Sequence, residues 1–159
     1  MLINDMEFWA RILVSLICGG IVGVERQFRG KPAGIRTSIL ICLGTQVYVS
    51  YGTSLSAGDQ YRVLAQVVTG VGFLGAGVMI SQEGTVRGVT SAAVIWVLAA
   101  VGAVIGLGHL KEALVLAMVT VGVLSGVETL ENSIRKLRSG VHARQQSFET
   151  KSHKRRKKL

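Results

Sequence analysis

The side chains able to do chemistry in this sequence fall into two small sets. Glu25 and Arg26 stand together, with Lys31 and Arg36 a few positions on. Asp59 and Arg62 are three apart, and Gln66 follows one turn later. On a helix, Asp59, Arg62 and Gln66 share a face. Carboxylates so placed could relay protons or offer oxygen ligands to a partly hydrated magnesium ion. An Asp–Arg pair at a helix start is equally ordinary capping, because the helix N-terminus favours the carboxylate. No nucleophile–base pair, metal-ligand cluster or HExxH-type motif is present, and His109, His142 and His153 fall at a turn or in the tail. Neither an enzyme nor a cofactor or bound metal is expected.

The segments that position these groups are apolar. The chain has 159 residues, 49% of them hydrophobic, with 20 glycines and one proline. Long uncharged runs separated by short charged gaps do not suit a soluble domain, whose helices would alternate polar and apolar faces. The run after Arg62, to Ile80, has eighteen residues with no charge or proline. As a helix it reaches about 27 Å, near the roughly 30 Å hydrocarbon core of a bilayer. Gly70, Gly72, Gly75 and Gly77 interrupt it. In lipid such glycines let a neighbouring backbone approach, which makes them candidate helix-packing residues. Gly70, Gly72 and Gly75 also match the G-x-G-x-x-G dinucleotide fingerprint. That motif needs a preceding strand and an acidic residue about twenty positions on, and neither is present.

Four further apolar runs span Phe8–Val24, Thr37–Leu55, Val89–Gly108 and Ala113–Val127. Gly19 and Gly23, and Gly102 and Gly106, repeat a four-residue spacing. Arg11, near the start of the first run, is expected to snorkel to the headgroups. Asp5 and Glu7, with no early lysine or arginine, argue against a cleaved signal peptide. Cys18 and Cys42 lie inside spans and read as small apolar residues rather than a disulfide. The expected fold is all-α, a polytopic membrane protein with five transmembrane helices. Lysine and arginine number 4, 1 and 10 in the first loop, the third loop and the tail after Val127, against Arg11, Arg62 and Lys111 on the other side. The positive-inside rule puts the N-terminus out and the C-terminus in.

The domain expectation is a transmembrane unit over 1–128 and a basic cytoplasmic tail over 129–159. A weak stripe of Leu130, Ile134, Leu137 and Val141 precedes the run from Lys154 to Lys158. Beside a bilayer that charge attracts anionic lipid, at about 1 kcal/mol per basic residue. Nothing aromatic or folded accompanies it that would indicate nucleic acid, which is not an expected partner.

The motifs carry a resemblance. Gly23-Val-Glu25-Arg26, continuing through Gly30-Lys31-Pro32-Ala33-Gly34-Ile35-Arg36-Thr37, resembles the first signature of the MgtC/SapB family. A second signature is similar to Asp59-x-x-Arg62-x-x-x-Gln66 and the glycine run to Gly77, and a third to Gly88-Val-Thr90-Ser91-Ala92-Ala93 with Trp96. Gln60 stands where the family often has proline, and Ser91 where it has threonine. The sequence looks like a short form without the cytoplasmic domain that many members carry after the fifth span.

The resemblance implies a bacterial inner-membrane protein linked to growth at low magnesium or to virulence. It implies a modulator of other membrane machinery, such as the ATP synthase, or a homo-oligomer, with Glu25, Arg26, Lys31, Arg36, Asp59, Arg62 and Gln66 as functional candidates. Glu25, Arg26, Lys31 and Arg36 would form a cytoplasmic charged hinge, and Asp59, Arg62 and Gln66 an outer polar cluster. The alternative is an oligomeric transporter or channel component for magnesium or protons, with Glu25 and Asp59 at its two mouths.

Overall fold

A computed structural model describes residues 6–55, 57–82 and 85–133. The tail beyond 133, with its expected basic run, lies outside the described residues, as do the side chains of Asp59 and Glu128. Five helices follow in order: α1 Met6–Phe28, α2 Ile35–Leu55, α3 Ala57–Gly77, α4 Val89–Gly106 and α5 Leu110–Ser133. Strands β1 Ile80–Gln82 and β2 Thr85–Arg87 pair antiparallel between α3 and α4, with Ser81 opposite Val86. The fold is all-α apart from this hairpin, which occupies what the sequence suggested was a plain loop. Among the described residues, three helical stretches, Met6–Phe28, Val89–Gly106 and Leu110–Val127, are long and apolar enough to cross a membrane.

Two boundaries differ from the sequence expectation. α1 runs through Glu25 and Arg26 to Phe28, so the charges that follow the apolar run Phe8–Val24 sit inside its last turns. α3 begins at Ala57, ahead of the apolar run that follows Arg62, which places Asp59 in its first turn. In both places the charged residues are compatible with helix. Charge interrupts hydropathy without interrupting the backbone.

The chain forms two units, Met1–Gly122 and Val123–Leu159. In the second, the described residues are the last turns of α5, where Thr129 Oγ1 donates to the Ser125 carbonyl at 2.8 Å. In the first, α2 is central and packs on α1, α3 and α4. Glycine pairs at the four-residue spacing explain the closeness. A Cβ placed on Gly19 would lie 2.6 Å from Ile39 Cα, and one on Gly23 2.6 Å from Ile35 Cα. From α4, a Cβ on Gly102 would lie 2.5 Å from the Cys42 carbonyl oxygen, and one on Gly106 2.7 Å from Val49 Cβ. α2 is thus gripped on two sides by glycine faces, the packing that substitutes for a hydrophobic driving force in lipid.

Cys18, Val22, Cys42, Val49, Leu98, Val101 and Ile105 fill the space between these helices and are essentially inaccessible. Both cysteines are free, and Cys42 Sγ donates to the Leu98 carbonyl at 3.4 Å. The outer faces are apolar too: Leu40, Phe73, Trp96, Val115 and Met118 are exposed. Apolar surface on this scale suits lipid rather than water.

Candidate functional site

The last turns of α1 carry the first polar cluster. The Glu25 side chain is only 8% exposed, and its Oε1 lies 2.5 Å from Arg29 Nε one turn on. Oε2 has no hydrogen-bond partner among the described residues. Arg26 is 3% exposed, and its Nη2 donates to Ser91 Oγ at 2.6 Å. Ser91 lies in the first turn of α4, so this bond ties the end of α1 to the start of α4 across 65 positions of sequence. Buried charges need such partners, because an unpaired one costs several kcal/mol.

The loop that follows is clipped at both ends. Gln27 Oε1 accepts from the Ile35 amide at 3.3 Å, and Ser38 Oγ donates to the Ala33 carbonyl at 3.1 Å. Ala33 holds φ at 62°, a left-handed conformation that costs a residue with a Cβ about 1–2 kcal/mol. Lys31 and Arg36 are exposed on this loop and on the first turn of α2. The four residues expected to form a charged hinge are therefore split. Glu25 and Arg26 are buried on a helix, whereas Lys31 and Arg36 face outward.

A second cluster lies at the other end of α2. Arg11 has partners within the protein. Its Nη1 donates to Ser50 Oγ at 2.8 Å and to the Gly106 carbonyl at 2.9 Å, while Nη2 pairs with Glu7. Gly106 is the last residue of α4, where a carbonyl has no partner within its own helix and the dipole favours a cation. Gln46, 1% exposed, donates through Nε2 to Ser50 Oγ at 3.1 Å. Sequence reasoning missed this network. Its legible part was the i, i+4 pairing of Glu7 with Arg11; Ser50 and Gly106 are distant in sequence.

The third feature is an apolar cavity of about 780 Å³ walled by α2, α3 and α4. Arg62, Gln66 and Gly70, singled out from the sequence, all line it, together with Leu40, Tyr48 and Leu74. Gly75 packs on Ala92, with a built Cβ 3.6 Å away, and a Cβ on Gly72 or Gly77 would meet nothing within 4 Å. Glu25 and Asp59 belong to opposite ends of α2. Gly23, beside Glu25, packs on Ile35, whereas Gly52 packs on Val63 near the start of α3. Along the helix those contacts are about 26 Å apart. Among the described residues, no group of three or more His, Cys, Asp or Glu is placed to hold a metal ion.

Comparison with known proteins now adds to this geometry. The sequence model of the MgtC family matches residues 12–133, well over half of the chain. The chain belongs to the MgtC family. It is 40% identical over 103 residues to Protein MgtC of Salmonella typhimurium (strain LT2), a match covering 65% of this chain and 45% of that protein. It is 46% identical over 111 residues to the "Putative magnesium transporter YhiD" of Escherichia coli (strain K12), covering 64% and 52%. Protein MgtC of Brucella abortus (strain 2308) is 41% identical over 111 residues, covering 69% and 46%. The chain spans about half the length of the curated relatives it matches. No solved structure matches it significantly. Family membership and the apolar helices together make this a membrane protein of the MgtC type.

Proposed function

We propose that this chain is a multi-pass protein of the bacterial inner membrane that modulates other membrane machinery. In this reading all five helices cross the bilayer, N-terminus out and C-terminus in, with the basic tail against anionic lipid. The charge asymmetry of the loops supports that orientation. The machinery acted on is a membrane complex such as the ATP synthase, approached by this chain alone or as a homo-oligomer. No catalytic role is assigned to it.

The observation that carries the reading is the separation of the two polar clusters. Arg11, Gln46 and Ser50 lie at one end of α2, and Glu25 and Arg26 lie at the other. Between them Cys18, Val22, Cys42, Leu98 and Val101 pack to near-zero exposure. A hydrated cation would have to shed its water there with no replacement ligands, which magnesium does reluctantly. This favours a chain that influences a partner over one that conducts.

The name of the Escherichia coli relative, together with the buried Glu25 carboxylate, favours a second reading. In it an oligomer carries magnesium or protons, with the pathway between copies. Proteoliposomes containing a magnesium dye and a pH dye, prepared with purified bacterial ATP synthase and with or without this chain, separate the two. A change in ATP-driven acidification, without ion flux from the chain alone, supports modulation. Flux from the chain alone, abolished by Glu25→Gln and Asp59→Asn, supports transport.

A further inference from the structure

The α2–α3–α4 cavity has no part in either reading. We propose that it is a lipid site, holding one acyl chain of an anionic phospholipid with the phosphate at Arg62. The distribution of groups along its walls is that of an amphiphile. α2 and α3 run antiparallel, since Gly52 near the end of one packs on Val63 near the start of the other. Tyr48, Arg62 and Gln66 are consequently gathered at one end of the cavity, and the walls beyond them are mostly apolar, Leu40, Val71 and Leu74 among them, with the hydroxyls of Thr37 and Thr45 the exceptions. A phosphate at the polar end would meet a guanidinium, the side chain best suited to it. Arg62 has five N–H donors, so another partner still leaves donors for phosphate.

The length of the slot suits that occupant. Twelve residue steps separate Arg62 from Leu74 on the α3 wall, about 18 Å at the helical rise. That is long enough for a chain that reaches the middle of a roughly 30 Å hydrocarbon layer.

The glycines give the slot its width. Gly44 and Gly70 both line it, and a Cβ on either would meet nothing within 4 Å. They do not bring helices together; they leave room between them. A side chain added at either position has the slot to grow into.

The test is native mass spectrometry of the full chain, purified in mild detergent and given dioleoyl phosphatidylglycerol or dioleoyl phosphatidylcholine at equal concentration. The expected result is one retained phosphatidylglycerol per chain, with at least tenfold preference over phosphatidylcholine. Gly44→Leu with Gly70→Leu should lower retention at least tenfold. Arg62→Gln should abolish the headgroup preference while leaving weak retention of both lipids. Gly72→Leu, on the same helix but outside the lining, controls for folding and should bind as the parent does. Retention unchanged by the double variant overturns the proposal, as does equal retention of both lipids by the parent chain. A double variant that changes the number of copies in the complex, rather than its lipid content, assigns the slot to a protein partner and equally overturns it.

Discussion

The glycines of α1 and α4 and those of α3 look alike in sequence and behave differently in the structure. Gly19, Gly23, Gly102 and Gly106 meet α2 so closely that a single added carbon would fall within 2.7 Å of its atoms. A Cβ on Gly70, Gly72 or Gly77 would meet nothing within 4 Å among the described residues. Small residues at helical spacing therefore mark where an approach is permitted, and the rest of the sequence decides whether a neighbour takes it. The polar groups divide in the same way. Arg26 and Arg11 bolt α1 to α4 across the gripped bundle, whereas Thr69 on α3 bonds to its own helix, at the Ala65 carbonyl.

The strongest way to break this contrast is to fill a gripped position. Gly102→Leu drives a side chain into the Cys42 carbonyl, 2.5 Å from where its Cβ would stand, with Thr45 Cβ at 2.8 Å. Overpacking of this kind costs about 3 kcal/mol or more when backbone must move. The expected outcome is loss of cooperative melting, or of monodisperse protein, in mild detergent. An unchanged melting midpoint would show that α4 does not rest on α2 as described.

Next in size is Ser91→Ala. It leaves the buried Arg26 guanidinium without its partner, at a cost of about 1–3 kcal/mol. The matched change on α3, Thr69→Ala, removes an exposed bond and should lie within about 0.5 kcal/mol of the parent. Comparing the two midpoints in one detergent sharpens the contrast; equal shifts would erase it. Ser50→Ala falls between them. It removes the acceptor of Arg11 and Gln46, but Arg11 keeps the Gly106 carbonyl, so about 0.6 kcal/mol is expected, the average for such bonds between membrane helices. A loss equal to that of Ser91→Ala would mean that the Gly106 bond does not hold Arg11 alone.

Much of this arrangement was legible in the sequence. Each helix contains an apolar run, and the pairs Gly19–Gly23 and Gly102–Gly106 announced their packing faces by spacing alone. What was not legible depended on distant partners. Glu25 and Arg26 looked like the end of a span because hydropathy falls there, and only Ser91, 65 positions away, explains how Arg26 stays buried. Arg11 looked like a headgroup ligand because its acceptors, Ser50 and Gly106, lie on other helices. The cavity beside Gly44 and Gly70 is defined by absent side chains on separate helices, and no periodicity in one segment reports that.

The smallest effect is the most discriminating, because its sign is at issue. Glycine in a helix interior is less favourable than alanine by about 0.8–1.0 kcal/mol. At Gly72 an added methyl would meet nothing within 4 Å, so within the single chain Gly72→Ala should be stabilising by up to that amount. The melting midpoint of the purified monomer in mild detergent should therefore rise by a few degrees at most. If the chain supports growth at low magnesium, as its resemblance implies, scoring the same variant in cells grown there then reads the face rather than the fold. If growth falls while the monomer is as stable as expected, that face of α3 is closed by another protein in the membrane. If growth is unaffected, the openness of Gly72 belongs to the working protein, and α3 differs from α1 and α4 there as well.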